Sequence, residues 1–246
     1  MGVAVFVGYD HVIGKAARRA CAYATQPDLG TVTTLDVEFR EHWGGIFNAH
    51  PWLAGPWESY LGYWRRGGGA SGEHSHAINL WQHFAHTVKA GRIVEVQATL
   101  DMFKDERVDY DRLCLMNLRT ENGLTGRCVQ DVVTQPPRKW ARIQYSNGHI
   151  EWQCGREPGV DSISAALPGR IAVEERVTKT RPDDFIEELW HIEAAMAGDA
   201  TQSPISLARG LDTMLVVAAA HLSHQSGQRV TIDYSKGCVP EALTIR

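Results

Sequence analysis

The sequence lacks the features that mark several protein classes. No run approaches the roughly 18 apolar residues that a membrane span needs, and the amino terminus has neither a basic leader nor the long apolar core of a secretory signal. The formal net charge is −4 and the pI is about 6.3, so the chain has no basic field for nucleic acid. We therefore expect neither a membrane nor a nucleic-acid partner.

Cysteine is also scarce, and its pattern argues against disulfides. The five cysteines are scattered and odd in number, and no two of them form a CxxC pair. Such a set suits a reducing compartment better than a disulfide framework. We expect a cytoplasmic protein, and the absence of repeats, low-complexity tracts and linkers favours one large domain.

The hydrophobic pattern at the amino terminus predicts a strand followed by a helix. Residues 3–8 are continuously apolar and end at a glycine, which is typical of a strand buried on both faces of a parallel sheet. Residues 11–25 follow with apolar side chains at helical spacing. A single such strand cannot form a sheet, so its partner strands are expected outside this chain.

The remainder of the chain predicts an α+β fold with a large antiparallel sheet. Glu121-Asn122-Gly123 and Ser146-Asn147-Gly148 are strong hairpin signals between alternating segments. Helices are predicted from Pro182 to Gly198 and from Ser206 to Ser226. The predicted strands are 31–40, 92–102, 112–119, 124–133, 139–145, 149–153, 162–167, 170–178 and 229–234.

A glycine-rich stretch with a carboxylate and two histidines opens an amphipathic helix. The stretch is Gly67-Gly68-Gly69-Ala70-Ser71-Gly72-Glu73-His74-Ser75-His76, and the helix is predicted over residues 72–89. Glycines let the backbone approach a ligand closely, and a helix start offers free N–H groups to a polar ligand. We expect this stretch to form the floor of a substrate cleft.

The same stretch formally matches the dinucleotide fingerprint as Gly67-x-Gly69-x-x-Gly72. That fingerprint requires a buried strand immediately before it, and Tyr63-Trp64-Arg65-Arg66 is not one. We therefore do not expect a phosphate cradle here.

Zinc is the other chemistry that this stretch suggests. Nitrogen and oxygen ligands are present in Glu73, His74, His76, His83 and His86. Their side chains spread over well over a third of the helix circumference, and no HExxH spacing is present. We expect no metal site.

The long segment from residue 41 to residue 66 is dense in aromatic residues. Loops of this length inside compact domains are usually functional. Aromatic faces stack on sugar rings, but aromatic residues at an oligomer interface would leave the same pattern. On the first interpretation, Trp43, His50 and Trp52 are candidate substrate-binding residues.

These motifs together resemble the C-terminal half of the Gfo/Idh/MocA family, that of glucose–fructose oxidoreductase and inositol dehydrogenase. The first motif, Val5-Phe6-Val7-Gly8-Tyr9-Asp10-His11, is similar to the family's last nucleotide-domain strand, and Leu29-Gly30-Thr31-Val32 to the entry of its second domain. Gly67-Gly68-Gly69 leading to His76-Ala77-Ile78-Asn79 is similar to its Gly-Gly-Gly…His-Ala-x-Asp block. The closing helices, from Phe185 to Val230, complete a resemblance that covers nearly the whole chain.

The resemblance implies a two-domain NAD(P)-dependent oxidoreductase acting on sugars or polyols. It implies an open, largely antiparallel sheet like the C-terminal domain of dihydrodipicolinate reductase, with helices on one face and a homo-oligomer formed through the sheet. Residues 1–28 then correspond to a remnant of the dinucleotide-binding domain, and residues 29–246 to the substrate-binding and oligomerisation domain. The Rossmann unit and the family's Glu-Lys-Pro segment with its catalytic lysine are absent from the sequence, so the residues that bind NAD or NADP remain unknown.

The resemblance also suggests site residues. His76 occupies the position of the family's catalytic histidine, but Gly72 stands where the family has an aspartate, and Glu73 is the nearest carboxylate, three residues before His76. The alternative is that His76 is a core-edge histidine bonded to a backbone carbonyl, but the glycine run and the family position favour a functional role. We expect His76 and Glu73 to be catalytic.

Three further residues are expected to bind substrate. His74 follows Glu73 directly, and Asp10 and His11 lie where the family's strand end faces the cleft. The family usually has arginines just beyond that strand end, whereas Val12 and Ile13 stand here.

The sequence thus predicts the substrate-binding domain of an oxidoreductase that moves a hydride from a carbinol carbon of a sugar or polyol. On this hypothesis the chain is inactive alone because the nucleotide domain is missing. The alternative is a non-catalytic carbohydrate-binding or assembly protein derived from the same family. A metal-dependent sugar isomerase or hydrolase is a third possibility.

Overall fold

A computed structural model of the protein describes residues 3–246. Ten strands and six α-helices make up its regular structure. The strands are β1 Val32–Arg40, β2 Ile93–Lys104, β3 Asp109–Thr120, β4 Thr125–Asp131, β5 Arg138–Tyr145, β6 Gly148–Glu157, β7 Val160–Ala166, β8 Val173–Thr178, β9 Val230–Ile232 and β10 Leu243–Ile245. The helices are α1 Lys15–Ala24, α2 Trp43–Asn48, α3 Gly69–Glu73, α4 Ser75–Thr87, α5 Arg181–Ala197 and α6 Leu207–Ser226.

All ten strands form one open sheet in the order β10-β9-β2-β3-β4-β1-β5-β6-β7-β8. Only β1 and β4 pair in parallel, and every other neighbouring pair is antiparallel. The Asn-Gly turns join β3 to β4 and β5 to β6, as predicted. The predicted α+β fold with a large, mostly antiparallel sheet is confirmed.

The helices α1, α4 and α6 pack on one face of the sheet and close the main core. In β1, Leu35, Val37 and Phe39 point into this core and are almost fully buried. Between them, Asp36 and Glu38 carry ion pairs to Arg127. This alternation follows from the period of two in a strand.

None of the helices in the described chain is both long and apolar enough to cross a membrane.

The predicted amino-terminal strand is wrong. Residues 3–8 are extended but pair only through an isolated bridge between Phe6 and Ser206, and Val3 is 89% exposed. The backbone bonds run from Val7 N to Ile205 O, 2.8 Å, and from Leu207 N to Val5 O, 2.9 Å. The apolar run therefore lies on the segment before α6 and outside the sheet.

Two further boundaries differ from the predictions. The single helix predicted over residues 72–89 is two helices, α3 and α4, because His74 has ψ 22° and interrupts the helical path. The segment 41–66 is not structureless, since it contains α2 and three short 3-10 turns. The short edge strand β10 was not predicted at all.

The glycine run packs against its own chain. A Cβ atom at Gly72 would lie 1.9 Å from the carbonyl oxygen of Gly67, and one at Gly68 would lie 2.2 Å from the carbonyl oxygen of Tyr60. Gly69 has φ +80°, and its Cβ would meet Asp111 Oδ1 at 2.0 Å. These glycines are needed because α3 has no room for side chains against the preceding turn and β3.

We predict that Gly72→Ala destabilises the protein, although alanine favours helices by about 1 kcal/mol over glycine. The added methyl group would overlap the Gly67 carbonyl, and overpacking of this kind costs about 1–3 kcal/mol. Urea unfolding of the wild type and the variant measures the difference. Gly8→Ala is the control, because residue 8 is exposed and a Cβ atom there would have its nearest neighbour at 3.7 Å, an ordinary van der Waals contact. A variant Gly72→Ala as stable as wild type would contradict the packing argument.

Asp111 links α3 to β3 and has a raised pKa. It is fully buried and accepts hydrogen bonds from Ser71 N, 2.7 Å, and Ser71 Oγ, 3.1 Å. Burial raises the pKa of Asp111 to about 7, even though both Ser71 bonds oppose the rise. The folded protein therefore holds a proton that the unfolded chain releases near pH 4.

We predict that the contribution of Asp111 to the free energy of unfolding falls as pH rises from about 4 to about 7, because in that window its carboxyl group is protonated in the folded state and ionised in the unfolded state. The buried His74 and His76 titrate with the opposite sign, so the contribution is read from a comparison with a variant. Asp111→Asn keeps the acceptor oxygen and removes this titration, so from pH 5 to pH 8 its unfolding free energy should increase relative to that of the wild type, which urea unfolding at both values measures. Asn117→Ala, an exposed change on the same strand, should follow the wild-type pH dependence. Equal slopes for wild type and Asp111→Asn would refute the assignment.

Candidate active site

The start of α4 brings His76 to Asp10 and His11. Their closest atoms are His76 Nδ1, His11 Nδ1 and Asp10 Oδ1. The two ring nitrogens are 3.3 Å apart, and the carboxylate oxygen lies 2.7 Å from His11 Nδ1 and 3.4 Å from His76 Nδ1. The side chain of His11 is 14% exposed, that of Asp10 is 16% exposed and that of His76 is 28% exposed. They form a cluster that is largely buried and keeps some contact with solvent.

Local structure fixes each member of this cluster. Asp10 and His11 lie in a 3-10 turn that ends at the buried Val12 and leads into α1. His76 lies in the first turn of α4, where the edge of the Tyr9 ring contacts it at 5.2 Å between ring centroids. The Tyr9 hydroxyl donates to Ser75 Oγ at 3.3 Å. The turn and the helix are thus held together at the cluster itself.

Aromatic rings line the other side of His11. The His11 ring lies 4.9 Å from the Phe39 ring and 6.2 Å from the Trp152 ring, measured between centroids. Phe39 and Trp152 stack on each other at 5.9 Å. Both rings are almost fully buried, so they hold the His11 ring in place as part of the core and are not open to a ligand.

Burial separates the protonation states of the two histidines. Burial alone would lower the pKa of His11, but the charge of Asp10 raises it to about 9. Burial and the charge of His11 lower the pKa of His76 to about 3. Burial alone would raise the pKa of Asp10, but the charge of His11 holds it well below its usual range. Near neutral pH, Asp10 and His11 therefore form an ion pair, and His76 is neutral with a free lone pair.

Lys139 is a member of the site that the sequence reasoning missed. Its Nζ lies 3.1 Å from Glu41 Oε2, and its charge affects the pKa values of Asp10, His11 and His76. The signal was present in the strand pattern, because Lys139 precedes the inward-facing Ala141, Ile143 and Tyr145 at a spacing of two residues. A lysine in an apolar column is unusual and points to a polar site.

The carboxylate beside His76 is Asp10, whereas Glu73 was expected. Glu73 ends α3, and the break at His74 separates it from the first turn of α4. Burial raises the pKa of Glu73. The charge of Glu41 adds to this rise, whereas the charges of Lys139 and His50 oppose it. Glu73 thus borders the Lys139 side of the site and does not pair with His76.

His74 is buried and faces the same polar region. Its carbonyl oxygen accepts a hydrogen bond from Gln130 Nε2, and its own Nε2 has no protein partner. Burial lowers the pKa of His74 to about 4, so its ring is neutral. A buried neutral ring without a partner leaves one polar atom for a ligand.

The predicted aromatic ligands lie apart from the cluster. Trp43 packs with Phe47 and Tyr110 in a second, smaller core, at 5.3 and 5.5 Å between centroids. His50 bonds through Nδ1 to the carbonyl oxygen of Ile46, 2.8 Å, and Trp52 is 71% exposed against its edge. Trp43 is accounted for by packing, and a substrate role for His50 and Trp52 stays a prediction.

The zinc ligands considered on the sequence do not converge either. His83 contacts Cys21 Sγ at 3.3 Å, and His86 bonds to the Gln82 carbonyl oxygen and to Arg209. The dinucleotide interpretation of the glycine run is contradicted, since Trp64–Arg66 is a 3-10 turn and the glycines abut their own backbone.

Two cavities lie away from the histidine cluster. One, of about 370 Å³, is lined by the glycine run together with Trp64 and His221. The other, of about 520 Å³, lies on the open face of the sheet among Asp36, Glu95 and Arg127. Volume alone would favour the second, but the perturbed acid and base groups lie at Asp10, His11 and His76. We place the candidate active site at that cluster, and the expectation that the glycines form its floor is not met.

Comparison with known proteins agrees with this architecture. No curated protein matches the sequence. Among solved structures, levoglucosan dehydrogenase in complex with NADH and levoglucosan is similar with 17% identity and a TM-score of 0.74, covering 92% of this chain and 65% of that one. An inositol dehydrogenase homolog from Azotobacter vinelandii, complexed with NADH and myo-inositol, has 16% identity and a TM-score of 0.67, covering 93% and 64%.

The aldose–aldose oxidoreductase of Caulobacter crescentus, complexed with glycerol, is similar at 17% identity with a TM-score of 0.70, covering 93% of this chain and 64% of that one. The chain therefore spans less than two thirds of the length of these proteins, and at such identities the similarity establishes the fold. A sequence model described as the GFO/IDH/MocA C-terminal domain matches residues 17–151, which is more than half of the chain. The protein belongs to the GFO/IDH/MocA C-terminal domain family.

Proposed function

We propose that this chain is the substrate-binding and oligomerisation part of an NAD(P)-dependent oxidoreductase that acts on a sugar or polyol. The observation that carries the proposal is a neutral His76 held beside an Asp10–His11 ion pair in a half-buried cluster. Family membership and the carbohydrate oxidoreductases of the same fold support it. Location in the cytoplasm is part of the proposal, because all five cysteines are unpaired.

The chemistry assigned to the site is removal of a hydroxyl proton. Oxidation of a carbinol carbon to a carbonyl releases one hydride and one proton, and a base must accept the proton. His76 supplies the free lone pair, and the Asp10 carboxylate, 3.4 Å away, stabilises the imidazolium that forms. Lys139, with Glu41 as its partner, offers a donor to a neighbouring hydroxyl group.

A polyhydroxylated substrate fits the surroundings of this base. Sugars and polyols present several hydroxyl groups on one side and C–H groups on the other. Asp10, His11 and Lys139 are each partly exposed and can bond to hydroxyl groups. The relatives bound to levoglucosan, glycerol and myo-inositol are consistent with this class of substrate.

The nicotinamide cofactor, NAD or NADP, would accept the hydride, but the described residues do not fit it. The only glycine pattern of the right spacing packs against its own backbone, and no strand precedes it. A dinucleotide needs a parallel strand, a glycine turn and a helix N-terminus. Binding of the cofactor is therefore assigned to a separate nucleotide domain, and residues 1–28 are assigned to its remnant.

Exposed apolar residues support the docking of such a domain. Leu189, Trp190 and Met196 on α5 are 66%, 59% and 66% exposed, and Val3 is exposed as well. A contiguous apolar surface is costly in water and usually has a partner.

The open face of the sheet is proposed to form a homo-oligomer. Helices cover the opposite face, whereas this face presents ion pairs such as Arg119 with Glu95, 3.1 Å, and Arg127 with Asp36, 3.3 Å. A broad, flat and polar sheet face can pair with a second copy by a two-fold axis.

A non-catalytic carbohydrate-binding or assembly protein is the alternative. It shares the polyol site and lacks the nucleotide domain altogether. The DNA immediately upstream of the Met1 codon separates the two: an in-frame Gly-x-Gly-x-x-Gly and Glu-Lys-Pro supports the oxidoreductase, and a stop codon followed by a ribosome-binding site supports the alternative.

We predict that the 246-residue chain binds nicotinamide cofactor weakly. Titration with NADH and NADPH, followed by cofactor fluorescence, should show no saturation below about 1 mM, the upper range of ordinary Michaelis constants. The physical reason is the blocked glycine run, which has no space for a pyrophosphate.

Gly72→Ala serves as a further check, since the substitution alters the glycine turn and should leave the weak signal unchanged. Saturable binding in the micromolar range that Gly72→Ala abolishes would overturn the assignment of the cofactor to another domain.

A further inference from the structure

We propose that Asp10, His11 and His76 form a binding site for a divalent transition metal ion such as Zn²⁺. This goes beyond the proposed function, which needs no metal and uses the His76 lone pair as a base, so the zinc-bound site would not carry out that proton removal. It also replaces the sequence-based expectation that no metal site exists. That expectation examined ligands within one helix. The structure instead joins two residues of the amino-terminal turn to one residue of α4.

The three ligand atoms have spacings close to those of a tetrahedral zinc site. Zinc holds histidine nitrogens and carboxylate oxygens at about 2.0–2.2 Å, so neighbouring ligands of a tetrahedral site lie about 3.3–3.5 Å apart. His11 Nδ1 and His76 Nδ1 are 3.3 Å apart, and His76 Nδ1 and Asp10 Oδ1 are 3.4 Å apart. Only the pair from the adjacent residues Asp10 and His11, at 2.7 Å, is closer.

The same nitrogen of His11, Nδ1, faces both Asp10 and His76. In a proton relay, an imidazole uses its two nitrogens for two different neighbours. Here His11 Nδ1 is the atom nearest to both Asp10 and His76. One N–H that is shared between two acceptors bonds each of them poorly, whereas an ion at the centre of the three atoms would bond to all of them.

One oxygen of the cluster, Asp10 Oδ1, lacks a hydrogen-bond donor. Asp10 Oδ1 is buried and accepts no hydrogen bond of acceptable geometry from a described side chain, although His11 Nδ1 lies 2.7 Å away. A buried carboxylate oxygen without a donor is costly. A cation at the centre of the three atoms would satisfy it.

The charges around the cluster admit a dication. Lys139 is the nearest lysine, and Glu41 neutralises it at 3.1 Å. Zinc would take the place of the proton that His11 holds beside Asp10, because a histidine ligand must be neutral. Two imidazoles and one carboxylate select zinc, cobalt or nickel over magnesium and calcium, which prefer oxygen ligands. Three protein ligands with partial exposure leave a fourth position open, as in catalytic zinc sites.

The test is metal binding to the full chain without an affinity tag, in the absence of substrate and cofactor. Isothermal titration with ZnCl₂ should give one zinc per chain, and Co²⁺ in its place should give the intense visible absorption of a tetrahedral site. Asp10→Asn and His11→Gln should each weaken zinc binding on the order of 100-fold, because even loss of a residue that only orients a ligand costs 10–100-fold. Circular dichroism of each variant confirms that it is folded.

Cys21→Ser is the matched control. Cys21 and His83, 3.3 Å apart, are a place outside the proposed site where a thiol meets an imidazole. The proposal requires that Cys21→Ser bind zinc as the wild type does. It is overturned if the wild type takes up no zinc, if Asp10→Asn and His11→Gln bind it normally, or if Cys21→Ser abolishes binding. Because no cofactor or polyol is present, failure here leaves the proposed oxidoreductase function unaffected.

Discussion

The packing of α4 against the middle of the sheet is the constraint on which the site depends. Trp81 is fully buried, and its indole N–H donates to the carbonyl oxygen of Leu35 in β1 at 2.9 Å. A buried donor must be satisfied, so this bond fixes the rotation of α4 about its axis. That rotation places His76 against the turn that carries Asp10 and His11. The geometry of the candidate site therefore rests on a core contact one and a half turns away from it.

Burial also determines how the polar groups behave. The cluster lies between aromatic rings, where charges are poorly solvated and interact strongly with each other. One carboxylate can stabilise one imidazolium in such a place, so Asp10 and His11 form the ion pair while His76 stays neutral. Two histidines of equal intrinsic acidity thus acquire different roles from their positions.

Much of the fold could be predicted from the sequence, because local signals specify it. The Asn-Gly turns and alternating strands gave the antiparallel meander, and the apolar stripe of α4 gave its buried face. The strand predicted from the apolar run at residues 3–8 was wrong, because an apolar run indicates burial but does not show that a partner strand is present. His76, Asp10 and His11 were predicted through family resemblance. The alternation of β5 places Lys139 on the core side, but the groups that it meets there depend on contacts between distant segments, as does the pairing of Asp10 with His76, and no local pattern encodes such contacts.

The central claim is that polyols bind at Asp10, His11, His76 and Lys139. A crystal structure of the chain grown with myo-inositol, without cofactor, tests it most directly. The account predicts hydroxyl oxygens within about 3.2 Å of the side chains of His76, Asp10 and Lys139. Ordered myo-inositol in the cavity between Trp64 and His221, with the histidine cluster free of it, would contradict the account.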